Sequence, residues 1–410
     1  MARRNGGFVG QDGLDAPDPP TGISASAGET AISISFTAPS DAGTSAITGF
    51  VATTDAGDGA TGSSSPITIG SLSNGTAYTA RVYAINAYGT SAASDASSSV
   101  TPAASIAQFF GGRNDSVLNS LERVLMASTG NGTDTLDLTA AEAQCKGNAS
   151  STRGIQIHYG FSATNVVDYS TFATTGNASD FGDLSQTRSY GGGNAGSGVR
   201  AIAHGGSSND SNGVNTIDYA TIASAGNFSD FGNLAATSVM SGGASSPTRG
   251  IFPLCKSSVG GGSDSNAVNY ITIGSTGDAA DFGDLSRATG ETSGASNSTR
   301  ALFNAFNGST QTIDYFTIAS TGNATDFGDF ANGNAPSSAT VQKGPFAAAS
   351  NSIKALFSGG ITGSGSGEEF SNRMEFFTIA SAGNGTDFGD LAIERDRHGS
   401  NSNSHGGIAA

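Results

Sequence analysis

Five tracts of this chain set an aspartate before a phenylalanine and, in four of them, a second aspartate after it, and they are the first place to look for chemistry. They read VDYSTFATTGNASDFGDL from Val167, IDYATIASAGNFSDFGNL from Ile217, VNYITIGSTGDAADFGDL from Val268, IDYFTIASTGNATDFGDF from Ile313 and MEFFTIASAGNGTDFGDL from Met374. Asp180 and Asp183, with their equivalents, could offer oxygen to calcium, but one tract supplies fewer oxygens than the usual six to eight or so. Regular repetition favours a structural job, because a catalytic site has to be unique. In that reading Phe181, Phe231, Phe282, Phe327 and Phe388 plug the space between units, glycine permits a tight turn, and aspartate caps backbone amides. A basic residue recurs as well, at Arg153, Arg200, Arg249, Arg300 and Lys354. It could rim a surface that binds an anionic sugar, or form ion pairs between repeats. The Asn-x-Ser/Thr triplets, such as Asn177 to Ser179 and Asn323 to Thr325, match a glycosylation acceptor and equally an Asn-bearing turn. His158, His204, His398 and His405 show no metal-ligand spacing, and no Ser/His/Asp or Cys/His set is visible. No metal or cofactor is expected. A carboxylate pair for glycoside hydrolysis stays open, since 34 acidic residues offer many pairs.

The composition says what must position these residues. Of 410 residues 60 are glycine, charged residues make up 13%, and the net charge is −16. The glycines have no three-residue period, so collagen is excluded. Heptads are missing, so a coiled coil is excluded. Hydrophobic residues, 36% of the chain, recur in short clusters and argue against disorder. An all-β chain rich in turns remains. The acidic balance excludes nucleic acid as the main partner, because phosphate contacts need clustered Lys and Arg. No run approaches the ~18 apolar residues of a membrane span. Met1 to Gly10 has a basic pair but no apolar core, which argues against a secretory leader. Cys145 and Cys255 fall at non-equivalent places in the repeats, so a buried thiol is expected for each.

Residues 16 to 102 carry short runs of period-two alternation. They are Ala31 to Phe36, Ile47 to Ala52, Pro66 to Ile69 and Tyr78 to Ile85, separated by Gly/Ser/Asp-rich turns. The succession Pro19-Pro20, Ile34-Ser35-Phe36, Ile47-Thr48-Gly49-Phe50, Leu72, Gly75-Thr76-Ala77-Tyr78 and Val82-Tyr83-Ala84-Ile85-Asn86 resembles a fibronectin type III domain. The resemblance implies a β-sandwich spacer or adhesion module, with Tyr78 as the tyrosine-corner residue. Phe36 stands where that family usually has tryptophan.

Residues 105 to 410 repeat at intervals of about 50 residues. A sixth, worn copy of the tract, LERVLMASTGNGTDTLDL, begins at Leu121. An apolar strand recurs between the tracts, as in RGIQIHYG at Arg153 and KALFSGG at Lys354, and a polar Ser/Asn/Ala stretch precedes it. Four short strands per unit and six units predict a six-bladed β-propeller. Ser402-Asn403-Ser404 parallels Ser296-Asn297-Ser298, so the C-terminus is expected to supply the polar strand missing from the first repeat and close the ring. Glycine doublets at Gly111-Gly112, Gly205-Gly206 and Gly359-Gly360 resemble kelch repeats, with phenylalanine in place of the kelch tryptophan. The tracts differ from the sialidase Asp-box, Ser-x-Asp-x-Gly-x-Thr-Trp, because Ser179 adjoins Asp180 and no tryptophan follows.

The whole arrangement resembles a structural protein of a tailed phage, in particular of cyanophages. That resemblance implies a non-enzymatic virion protein on the particle surface, in the tail fibre, baseplate or capsid. Residues 1 to 15, with Arg3, Arg4 and Phe8, would be an extended arm docking on other virion proteins. The propeller would touch a host-surface glycan or a neighbouring virion protein. The alternatives are a propeller glycosidase or lyase acting on envelope polysaccharide, and a purely decorative capsid protein. A cluster of acids with arginine and aromatic residues at one mouth of the ring would favour the enzyme.

Overall fold

The computed structural model describes residues 14–307, 310–331, 347–362 and 369–408. Arg3, Arg4 and Phe8 of the expected arm lie outside the described residues. All regular secondary structure among the described residues is β. The chain divides into two compact units between Ala104 and Ser105.

The N-terminal unit has seven strands: β1 (Thr21–Gly28), β2 (Ala31–Thr37), β3 (Ile47–Thr54), β4 (Gly59–Gly62), β5 (Ile67–Ile69), β6 (Ala80–Asn86) and β7 (Gly89–Thr90). They form two antiparallel sheets, in the orders β1-β2-β5 and β4-β3-β6-β7. Alternation buries Ile32, Ile34 and Phe36 of β2 against Phe50 and Ala52 of β3 and Val82 and Ala84 of β6. Phe36 fills the centre, its ring 4.8 Å from that of Phe50. The Tyr78 hydroxyl accepts a hydrogen bond from the Ser73 amide at 3.1 Å, so the side chain ties the chain back five residues upstream. Asp15, which the sequence reading assigned to the arm, is tied to this unit: its amide donates to Thr44 Oγ1 and its carbonyl accepts from Asn86 Nδ2.

The outer side of β6 has a partner that period-two patterning does not reveal. Ser91, Ser94 and Ser97 follow one another at a spacing of three. Their amides donate to the carbonyls of Ala84, Val82 and Ala80. In return the amides of the same three β6 residues donate to the three serine hydroxyls, at 2.9 to 3.0 Å. Each serine thereby satisfies both backbone groups of one β6 residue, and the strand presents no free edge along this stretch.

The second unit contains six four-stranded antiparallel sheets. The first is built from Gly399–Ser402, Ile106–Phe110, Ser120–Leu125 and Thr133–Asp137. The second runs Lys146–Ala149, Arg153–Ile157, Thr164–Thr171 and Ser179–Arg188. The third runs Gly193–Gly196, Arg200–His204, Thr216–Thr221 and Ser229–Asn233. The fourth runs Ala244–Ser245, Arg249–Pro253, Ser265–Thr272 and Ala280–Thr289. The fifth runs Gly294–Ser296, Arg300–Asn307, Thr310–Thr317 and Thr325–Asp329. The sixth runs Ala347–Ser350, Lys354–Ser358, Arg373–Thr378 and Thr386–Asp390.

In each sheet the polar stretch is the first strand, the apolar run the second, and the repeated tract supplies the third and fourth. The second strands are buried beyond their opening residue, which is why they read as continuous apolar runs rather than alternation. The first strands are rich in Gly, Ala and Ser because they approach one another. Ser245 donates its amide to Ser296 Oγ, and Ser296 donates its amide to Ser350 Oγ. Ser402 donates its hydroxyl to the Ser350 carbonyl, as Ser350 does to Ser296. Successive first strands are in contact, and the cycle returns from the sixth sheet through Gly399–Ser402 to the second. Gly399–Ser402 pairs with Ile106–Phe110, so the first sheet draws its first strand from the C-terminal end of the chain.

Candidate functional site

The repeated residues of the second unit meet at the joints between neighbouring sheets, and four kinds of contact recur there. The first involves the phenylalanine and glycine of each Asp-Phe-Gly-Asp stretch. Phe181 is buried against Tyr169 and Phe228. Beside it, the amide of Gly226 donates to the Phe181 carbonyl and the amide of Phe228 to the Asp183 carbonyl. The turn of one sheet thus pairs with the fourth strand of the sheet before it. This corrects the expected role of the motif glycine. Gly182 sits within a strand at φ +142°, and a Cβ there would lie 2.6 Å from the Gly226 carbonyl. It allows the neighbouring turn to approach; it does not form a turn. At the first joint, where Leu136 stands in the glycine's place, the link is the Ala178 amide to the Asp137 carbonyl.

The second contact assigns the Asn-x-Ser/Thr triplets. Asn177, Asn227, Asn323, Asn384 and Asn131 each accept, through Oδ1, the amide of the residue that ends the preceding sheet's motif. Asp278 does the same for Asn233. The cap therefore comes from the next repeat, not from the motif's own aspartate as the sequence suggested.

The third contact uses the recurrent cations. The guanidinium of Arg153 lies 4.5 Å over the Tyr169 ring and donates to the Ile222 carbonyl of the next sheet at 2.9 Å. Arg200 stacks on Tyr219 and reaches Ile273, Arg249 stacks on Tyr270 and reaches Ile318, and Arg300 stacks on Tyr315 and reaches Ile379. Lys354 lies over Phe376 and donates to the Met126 carbonyl. In the first sheet Ile106 occupies the basic position, and Arg123, in the tyrosine's place, donates to the Thr171 carbonyl. The sequence reading allowed for ion pairs between repeats here; the links are cation–carbonyl and cation–π contacts.

The fourth contact escaped the sequence reading. The second residue of each tract is buried and polar: Glu122, Asp168, Asp218, Asn269, Asp314 and Glu375. Each accepts one or two backbone amides from the residues that follow the Asp-Phe-Gly-Asp stretch, or its counterpart, in the sheet before it. The donors are Ala392 and Ile393 for Glu122, Thr139 for Asp168, Ser185 for Asp218, Ala235 for Asn269, Ser286 for Asp314 and Ala331 for Glu375. Basic groups stand beside several of them. Arg395 bonds Glu122, Arg188 bonds Asp218, Arg373 lies 3.0 Å from Glu375, and His158 lies 3.1 Å from Asp168. Burial pushes the Glu122, Asp314 and Glu375 carboxyls up from their ordinary values, against the pull of those donors. Burial also pushes Asp168 up, but the His158 and Thr139 contacts outweigh it and hold that carboxyl below its ordinary value. A polar residue in second place of an otherwise apolar strand, present in all six tracts, is the signal in the sequence.

Residues that do not repeat gather at one end of the sheets, where second strands run into third strands and fourth strands lead to the next first strand. Asp396, buried, holds Arg113 at 3.0 Å and Arg397 at 3.6 Å. Phe161 lies under both guanidinium groups at 5.6 Å, and Arg113 also lies over Phe370. Tyr190 meets Phe161 edge-on. Lys256 pairs with Asp264 at 3.7 Å. Glu291 lies within electrostatic reach of Arg397, Lys256 and Lys146, and burial pushes its carboxyl up. The five recurrent cations open the second strands and therefore lie at the opposite end. There the chain's last described residues cross the first strands: Gly406 donates its amide to the Ser296 carbonyl, Gly407 accepts the Gly198 amide, and His405 bonds the Ala149 carbonyl. Between the two ends the first strands enclose a cavity of about 50 Å³, room for a few water molecules. Cys145 and Cys255 are free and buried, with both thiols pushed up by burial. Among the described residues no three His, Cys, Asp or Glu converge as a metal site.

Comparison with known proteins bears on the N-terminal unit. The fibronectin type III family model matches residues 18–100. Among solved structures, domains A168–A170 of titin match with 27% identity over 22% of this chain and 33% of that chain, at a TM-score of 0.21. The twitchin kinase region from C. elegans matches with 23% identity over 21% of this chain and 17% of that chain, at a TM-score of 0.20. The chain thus spans a third or less of these two structures. None of the curated proteins matches it. Residues 18–100 are a fibronectin type III domain at the N-terminal end of an all-β chain.

Proposed function

We propose that the second unit is a six-bladed, kelch-like β-propeller and that the protein is a non-enzymatic structural component of a tailed-phage particle, displaying the propeller for attachment to a host surface. The observation that carries the reading is the sixth joint. Lys354 to Met126, Glu122 to Ala392 and Ile393, Asn131 to Asp390 and the Gly130 amide to the Phe388 carbonyl join the last sheet to the first with the contacts that recur at the other joints. A ring closed this way is a rigid head whose repeated polar residues hold the blades together. The virion assignment rests on the resemblance of architecture and composition, with the residues before Asp15 as the anchoring arm and the fibronectin domain as a spacer. Purified protein added before infection is expected to reduce adsorption of particles that carry it. Unchanged adsorption at saturating protein would count against attachment and favour a decorative role.

The group of acids, arginines and aromatic residues around Asp396 favours one other reading, a propeller glycosidase or lyase acting on envelope polysaccharide. Release of reducing ends or unsaturated uronates from host polysaccharide would establish it.

A further inference from the structure

What the six repeats hold in common is engaged at the joints, so the positions where the repeat is broken are the ones free to serve a ligand. The sharpest break is Lys146. The pairing with the second strands puts Gly193, Ala347 and Gly399 at the equivalent place in three other first strands, and extending the register to just before the remaining two puts Gly242 and Ser293 there. A single ammonium therefore stands where the other five repeats have a group no larger than a methyl or hydroxymethyl. It has no hydrogen bond or ion pair among the described residues; Glu291 acts on it from a distance. A second cavity, of about 20 Å³, adjoins Lys146, Ser293, His398 and Ser400. That is the size of one water molecule or one ligand oxygen. The side chain is only half-buried, so its ammonium stays open to a ligand, and an anionic group in this position would supply the counterion it lacks. Glu291 lies within electrostatic reach of both Lys146 and Arg397, whose guanidinium lies over Phe161. Only 18 Lys and Arg occur in the chain. Arg113, Lys146, Lys256 and Arg397 are all at this end, while His405 to Ile408 cross the other.

We propose that the Lys146 end of the channel is a subsite for the anionic group of an acidic saccharide, with the ammonium receiving its carboxylate or sulfate and the Arg397–Phe161–Tyr190 group meeting the sugar. The mixed charge of the rim selects this class. Glu291, half-buried, can accept hydroxyl hydrogens of a sugar, and together with the buried Asp396 it would repel a polyphosphate or nucleic acid. That the saccharide belongs to a host surface rests on the attachment reading.

Calorimetric titration of the full chain with trigalacturonate, a sulfated galactose trisaccharide and neutral galactotriose tests the subsite. Acetate and inorganic sulfate serve as simple anions. The expected result is binding of an acidic trisaccharide, carboxylated or sulfated, weakened at least about tenfold by Lys146→Gln and restored by Lys146→Arg, with weaker binding of neutral sugar and simple anions. Thermal melts confirm that both variants fold; should Lys146→Gln not fold, Arg397→Gln is the second variant and is expected to lose binding likewise. Equal affinity in Lys146→Gln, no acidic-sugar binding by the unaltered chain, or equally tight binding of acetate or sulfate would each overturn the subsite. If the protein still competes for adsorption in any of those cases, the subsite falls and the attachment reading stands.

Discussion

Arg188 of the second sheet and Asp218 of the third form a fully buried ion pair, and one joint later the same two positions hold Ser238 and Asn269. Ser238 is placed by the amide it accepts from Gly206, as Arg395 accepts Gly360 at the sixth joint. Asn269 keeps the backbone contact, accepting the Ala235 amide. Base and acid therefore disappear together, as expected if the lasting cost is an unpaired buried charge and not the loss of the pair itself. Removing one partner, by Asp218→Asn or Arg188→Met, is expected to cost about 3–5 kcal/mol. The double variant should be more stable than either single one, a coupling that a double-mutant cycle in urea measures directly. Additive losses would contradict this account of the joint.

Asp314 lacks the buried partner that Asp218 has, and burial pushes its carboxyl up. For an acid raised in the folded state, the unfolded chain loses its proton first as pH rises. Stability from this group is therefore present below the ordinary carboxyl value and lost as pH rises through the folded one. Asp314→Asn, which copies Asn269, is expected to melt at or above the temperature of the unaltered protein at pH 7. The advantage should shrink as pH falls through the carboxyl range. Thermal melts from pH 7 to pH 3.5 check both the sign and the trend.

Gly182 and Gly274 separate close approach from mere abundance of glycine. A Cβ at Gly182 meets the Gly226 backbone, whereas one at Gly274 meets nothing within 4 Å. Gly182→Ala is expected to lose about 1–3 kcal/mol, the usual cost of overpacking. Gly274→Ala should stay within about 0.5 kcal/mol, as surface substitutions do. Chemical denaturation of the two variants side by side decides the point.

Ser94 serves Val82 twice, once through its amide and once through its hydroxyl. Ser94→Ala leaves the Val82 amide without that acceptor on a covered strand edge, at a cost of about 1–3 kcal/mol. Hydrogen exchange at Val82 should quicken in that variant more than exchange at Ile34 in the opposite sheet.

Apolar periodicity made most of the strands legible, because the second strands and the phenylalanines face the core wherever the repeat places them. The pairing of Ser402 with Ala107 was legible too, since the polar stretch before it copies Ser296. Partners lying in the next repeat were not. Gly182 is explained by Gly226, and Asp183 is capped by Asn227, in a different sheet. The Asp168 series hid for another reason: a carboxylate in an apolar strand reads as a break in alternation unless the amides that fill it are known. Ser91, Ser94 and Ser97 hid because their spacing is three, not two. Lys146 was invisible because its distinction lies in what the five other first strands lack.

The attachment reading stands or falls with where the protein sits. A cryo-EM map of the particle that carries this chain is the most direct test. The account predicts a closed ring of six four-stranded sheets at the tail tip or fibre, exposed on the particle surface. Absence of the chain from particles, together with cleavage of host polysaccharide by the purified protein, would contradict it.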